Sequence, residues 1–466
     1  MATDQQIVYG VGSSAASPAN AGSFEGASLL TRQNLKVWGA RAVFSLLDQG
    51  LASGASFGVN LLLARWLITE AYGAFAVGFV SYMFVYGLYN ALLLEPMSVL
   101  GPAQHIESMT GYLRSQLMVH IIVVSPLAGL TLVAGILLRL FIPASPLGGA
   151  LVGLGLALPF LLLLWFARRI GYVLQRPSQA GVGSALFLTI VAAGLLALQH
   201  YAMLQPFTAF ALMGFASCLS AVYLIRRFGL VSWQTLPREG WGQALRENWG
   251  YGRWLVGSTV LAFIVSQAQV FFVSGLLGLG AAGILRAMQL PALLMTQIST
   301  AAGFLILPIF SYDFVAGATR RMRHKAIFTS LALSTLALVL AGATWTFSAP
   351  IERILFSGKF APYAWLMPLL VLYTIPFGPM QGFGMALRAI RMPKFDLVSG
   401  AIAAPVAVFF AYLGTRWWGL GGAALSLILG FAVQGLVTAI YFRRFVPESK
   451  TPLGVCPAPL GAKQNV

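Results

Sequence analysis

The stretch LVGLGLALPFLLLLWF (151–166) carries no charge and no alternation of polar with apolar residues. A barrel strand would alternate at a period of two, so the run reads as a helix in hydrocarbon. The segment around it, 147–167, is long enough to cross a bilayer core of ~30 Å. Working outward, comparable segments recur at 42–67, 74–96, 116–140, 180–200, 204–225, 254–276, 281–308, 326–348, 362–386, 397–417 and 420–442. Composition agrees. The 466 residues are 58% hydrophobic and 9% charged, with mean hydropathy +0.82. Soluble domains carry roughly 25% charged residues, and this chain has too few to cover a water-facing surface. The expected fold class is all-α integral membrane, with about twelve transmembrane helices.

Net charge is +17. In a soluble protein that would suggest nucleic acid; in a membrane protein Lys and Arg report topology first, because they stay in the cytosol. An even number of spans puts both termini on one side. Arg65, Arg139, Arg353, Lys359 and Arg416 fall on the opposite side, Arg286 falls within a span, and the rest of the 29 lysines and arginines fall on the terminal side, Arg168, Arg169 and Arg176 among them in the connection after the fourth span. Both termini are therefore expected in the cytosol, and no nucleic-acid partner is expected. Two cysteines, Cys218 and Cys456, imply no disulfide framework.

The connection 226–253 separates two six-helix halves that begin alike: VWGARAVFSLLDQ (37–49) against NWGYGRWLVGSTV (248–260). Tyr72-Gly73-Ala74 is echoed by Ala282-Gly283-Ile284. Six is even, so the halves run parallel, a plan that places substrate between two lobes. The expected domains are a disordered cytosolic leader (1–34), an N-lobe (35–226), a cytosolic linker (227–252), a C-lobe (253–444) and a cytosolic tail (445–466). The leader lacks a basic region followed by an apolar core, so it is not read as a signal peptide.

Catalytic motifs are absent. FSGKFAP (356–362) has the Gly-Lys of a phosphate loop but not its spacing, and no H-E-x-x-H or Cys/His cluster occurs. No cofactor or metal is expected. The short outward connections leave little room for a polymerase or glycosyltransferase, so an enzyme is disfavoured.

Ionisable groups inside spans cost ~2.5–3.5 kcal/mol on insertion scales, so each is a site candidate. Asp48, Glu95 and Arg286 qualify. With Arg286 at 0°, Gln289 lies near ~−60°, Gln297 near ~+20° and Thr300 near ~−40°, one polar stripe on an otherwise apolar helix. The stripe lines a cavity or a helix contact, unless Arg286 snorkels to the outer surface. Arg41 and Asp48 share a face of the first span, either as a structural pair or as a gate or cation-coupling site. Glu95, before Pro96, is a helix-end carboxylate or part of the gate. Arg253, Arg388 and Arg391 report topology or face a cytosolic vestibule. Pro291, Pro376, Pro379 and Pro405 are hinge candidates.

LLDQGLASGASFGVNLLLARWLITEAYGAFAVG (46–78), LLLEPMSVLGP (92–102) and AAGILRAMQLP (281–291) resemble the polysaccharide-biosynthesis (Wzx-type) flippases of the multidrug/oligosaccharidyl-lipid/polysaccharide exporter superfamily. The resemblance implies translocation of an undecaprenyl-diphosphate-linked oligosaccharide across the bacterial inner membrane, driven by an ion gradient or potential. Arg286 would meet the diphosphate, and glutamines and threonines the sugar hydroxyls. Polysaccharide polymerase and export proteins would be partners. The alternative is a drug/cation antiporter of the same superfamily, which would want cavity carboxylates. A major-facilitator transporter would need a Gly- and Arg-rich motif that MSVLGPAQHIESMTGYLRSQ (97–116) lacks.

Overall fold

The computed structural model describes residues 32–230, 240–390, 392 and 394–446. The helical bundle belongs to the unit Phe44–Val466. Most of the leader, the tail beyond Val446, Cys456, Arg391 and the side chain of Arg41 lie outside the described residues.

Among the described residues all regular structure is helical. We number the helices α1 (Arg32–Trp66), α2 (Thr69–Gln104), α3 (Met109–Phe141), α4 (Pro146–Val173), α5 (Pro177–His200), α6 (Pro206–Arg227), α7 (Trp241–Leu276), α8 (Leu279–Val315), α9 (Thr319–Phe356) and α10 (Leu366–Ala389). The run Lys394–Phe445 is broken at Gly419, whose φ of 57° only glycine adopts readily. It is therefore two antiparallel helices, α11 (394–418) and α12 (420–445). Ten helical stretches are long and apolar enough to cross a membrane, that run counted once. Splitting that run makes eleven, and α1 is helical over the first stretch read from the sequence without being apolar enough to be counted.

Local chemistry explains the helix starts. Ser145 caps α4, its Oγ accepting from the Leu147 N–H at 3.4 Å, with Pro146 supplying the preset φ of a first helical residue. At α6 Gln205 and Thr208 exchange side-chain-to-backbone bonds in a capping box at the head of a mostly apolar helix. Because Arg227 ends α6 and Trp241 begins α7, the connection between the halves is shorter than 226–253.

Helices alternate in direction, so the connections fall at two ends. The basic end carries the α2–α3, α4–α5, α6–α7, α8–α9 and α10–α11 connections; the far end carries the others. Trp345, Trp365, Trp417 and Trp418 are exposed towards the far end, and Trp241, Trp249 and Trp254 towards the basic end. These are the two belts expected of a membrane-spanning bundle. Within the first lobe α4 is mostly buried, whereas α3 and α5 expose most of their apolar surface, as lipid-facing helices do. This is a multi-pass membrane protein.

The lobes, α1–α6 and α7–α12, meet where equivalent helices cross. A Cβ on Gly73 of α2 would sit 1.7 Å from the Leu279 carbonyl oxygen, and one on Gly283 of α8 would sit 2.6 Å from that of Thr69. These are the two glycines of the echoed triplets. The repeat thus places a glycine pair where two backbones touch.

Candidate functional site

The lobe interface is centred on α2 of one lobe packed against α7 and α8 of the other, with α1 and α3 adding contacts. Directly beneath the glycine crossing, Phe79 and Tyr72 of α2 face Arg286 and Gln289 of α8. The guanidinium lies 5.9 Å from the Phe79 ring centre, and its Nη1 donates to Gln289 Oε1 at 3.2 Å. Tyr72 and Tyr373 stand within electrostatic reach of it. Arg286 is 4% exposed, so it does not snorkel to the surface. Its Nε and the Tyr72 hydroxyl are buried without a hydrogen-bond partner. A buried donor left unmet costs ~1–3 kcal/mol, more when charged.

The rest of the stripe is not gathered there. Gln297 accepts from Ser53 Oγ of α1 at 2.7 Å, a second contact between the lobes. Thr300 is exposed and its hydroxyl donates to the Thr296 carbonyl of its own helix. The sequence stripe therefore resolves into a buried cationic pair and a polar track towards the basic end.

Asp48 is completely buried and saturated. Arg168 donates from Nε to Oδ1 at 3.2 Å and from Nη2 to Oδ2 at 2.8 Å. The Tyr172 hydroxyl donates to Oδ2 at 2.5 Å and Ser184 Oγ to Oδ1 at 2.5 Å. This corrects the loop assignment of Arg168. Arg168 lies inside α4, 5% exposed, over the Trp165 ring at 4.5 Å. Its charge is tolerated there because α1 brings a carboxylate to it. Beside the pair is a small cavity of about 40 Å³, between Ser56, Phe79, Tyr82, Trp165, Arg168 and Ser217. Phe79 thus separates this cavity from Arg286.

Towards the basic end α2 contains a π turn, Asn90–Leu94, immediately before Glu95 and Pro96. Such turns often mark functional positions. Glu95 is half-buried within electrostatic reach of Arg169 from its own lobe and Arg388 from the other. Arg169 is steadied by Asn90 Oδ1 at 2.9 Å, and Arg388 pairs with Asp396 at 3.1 Å. Below them the lobes touch through a double amide bond between Gln116 and Asn248, at 3.1 and 2.8 Å, and through His105 to Glu247 at 3.1 Å.

Sequence reasoning missed Arg168, Arg169, Tyr72, Tyr373 and Glu352. The arginine pair looked topological, and nothing local links Asp48 to a partner 120 residues away. Glu352 lies beyond the ninth span read from the sequence, and the helical geometry of α9 does break at Phe347; Glu352 sits in the stretch after that break and is fully buried. Among the described residues no cluster of His, Cys, Asp and Glu could hold a metal.

No family profile and no curated protein matches the chain. Solved structures do. An inward-facing multidrug resistance MATE family transporter of the MOP superfamily superposes with TM-score 0.73 at 10% identity, covering 87% of this chain and 98% of that one. An outward-facing multidrug resistance MATE family transporter of that superfamily gives 0.64 at 13% identity, covering 87% and 95%. The lipid II flippase MurJ, in an inward closed conformation, gives 0.64 at 14% identity, covering 86% and 87%. At these identities the likeness is one of fold: the chain has the two-lobe architecture these transporters share.

Proposed function

We propose that the protein is an alternating-access flippase for an undecaprenyl-diphosphate-linked oligosaccharide. The observation that carries this reading is the Arg286 group: a buried cation with an unmet donor, beside the unmet Tyr72 hydroxyl, at the lobe interface. A diphosphate supplies charged acceptors for both, and the guanidinium fork suits phosphate oxygens. The charge balance along the interface supports an anionic ligand. Arg168 neutralises Asp48 and two arginines flank Glu95, so neither carboxylate stands free for a cation. Arg169 and Arg388, one from each lobe, would receive the diphosphate first, and Ser53, Gln297 and Thr300 line the way to Arg286. Glu95 and Asp48 would serve the gate. The fold shared with a lipid flippase is consistent with this order of events.

A cation or drug antiporter is the second reading, favoured by the likeness to multidrug transporters. Short far-end connections speak against a polymerase. The readings separate by binding. Purified protein should be stabilised against thermal unfolding by undecaprenyl diphosphate and much less by undecaprenol. Stabilisation by lipophilic cations alone would favour the antiporter.

The lysine and arginine distribution supports a cytosolic basic end, and the resemblance to the polysaccharide flippases points to a bacterial inner membrane. A reporter fused after residue 445, or placed within 228–245, should be active only in its cytosolic form, and one near 355 should read outside. If 228–245 and 355 report the same side, this orientation fails.

A further inference from the structure

The far-end connection after α9 has a feature for which the proposed transport path has no use. Ser357 and Gly358 both take left-handed conformations, at φ 59° and 83°, and turn the chain back on itself. Glu352, completely buried one turn earlier, accepts the Phe360 N–H at 2.8 Å and so pins the returning length of chain. Between these anchors Lys359 is aimed across the lobe interface. Its ammonium donates to the Ala64 carbonyl oxygen at 2.7 Å and also to that of Leu67, while lying 4.9 Å from the Phe360 ring centre. Those carbonyls belong to the last turn of α1 and the residue after it. The end of a helix leaves carbonyls unpaired and concentrates partial negative charge, so a cation there is stabilising.

We propose that Lys359 is the latch of the far-end gate. It joins α1 of one lobe to the α9–α10 connection of the other and must release before the interface opens on that side. The latch is one-sided. The corresponding connection of the first lobe, Ile142 to Ser145, reads Ile-Pro-Ala-Ser and carries no cation to reach the end of α7. The asymmetry makes α1, rather than α7, the helix freed on opening. This inference rests on the alternating-access reading, and its test does not depend on the substrate.

The gate can be read by a disulfide across it. A Cβ on Gly280 would lie 4.0 Å from Thr69 Cγ2 of the other lobe, so the two positions face each other when the gate is shut. In a background with Cys218 and Cys456 replaced by Ser, a Thr69→Cys/Gly280→Cys pair is oxidised in native membranes. Cross-linking is scored after cleavage at a protease site inserted in 231–239. Adding Lys359→Met should lower the cross-linking rate at least ~threefold, Lys359→Arg should hold it within ~twofold, and Glu352→Ala should lower it as Lys359→Met does. If Glu352→Ala fails to reach the membrane, Lys359→Met, at a half-exposed position, decides alone. Cross-linking by Lys359→Met at the parental rate and normal abundance would overturn the latch. A separate result would sink the alternating-access reading instead: full transport by protein whose gate is cross-linked shut.

Discussion

Arg286→Ala should lose most glycan export at unchanged protein level, and Arg286→Lys should recover only part. Among the described residues the site has no substitute cation: the guanidinium sits among Phe79, Tyr72, Tyr373 and Gln289, and of these Gln289 satisfies one of its donors. Truncating a buried charge contact typically costs ~2–5 kcal/mol, enough to remove most turnover. Lys keeps the charge but loses the planar fork, which is why half-measures are expected from it. Export and membrane abundance must be measured on the same cells. Normal export by Arg286→Ala at normal abundance would take the residue out of the site, and equal rescue by Lys would reduce its role to charge alone.

Arg168→Ala should do its damage differently, by unfolding the first lobe. It would leave the fully buried Asp48 carboxylate with two hydroxyl donors and no counter-charge. Breaking a buried pair by removing one partner costs ~3–5 kcal/mol, because the remaining charge stays uncompensated. Little folded protein should survive detergent extraction, and its thermal midpoint should fall. Removing both charges in Asp48→Asn/Arg168→Gln should lose less than the two single changes added together, as contacting residues do. The double variant also decides the role of Asp48. We expect its transport, where it folds, to keep its dependence on the ion gradient. Loss of that dependence in folded protein would make Asp48 a coupling site instead.

The bundle was legible in the sequence because its cause is legible there. Hydrocarbon demands long apolar runs, and the positive side demands a bias in Lys and Arg; both are one-dimensional signals. Gly73 and Gly283 were visible as an echo between the halves, though not as a crossing of backbones. Arg286 and Gln289 stood out because a polar stripe on one helix is a local pattern. Other parts of the site were not local. Arg168 at the end of an apolar run has the same appearance whether it faces cytosol or Asp48, and only the packing of α1 against α4 and α5 decides it. Lys359 and Glu352 lie past the apolar run and past the break in α9 at Phe347, and only the packing shows that Glu352 is buried and that Lys359 reaches α1. Gln297 and Thr300 show the limit of face arithmetic: they share an arc with Arg286, yet the helix carries them some ~16–21 Å away at ~1.5 Å per residue.

The central claim is that an anionic lipid-linked glycan crosses the membrane between these lobes. It is tested most directly by reconstituting the purified protein in liposomes with an undecaprenyl-diphosphate-linked oligosaccharide and measuring how much reaches the opposite leaflet. Leaflet position is read with a glycan-cleaving enzyme added outside. The account predicts protein-dependent translocation under an imposed gradient or potential, strongly reduced by Arg286→Ala. Liposomes that hold folded protein and exchange a lipophilic cation, but leave the lipid-linked glycan where it started, would contradict it.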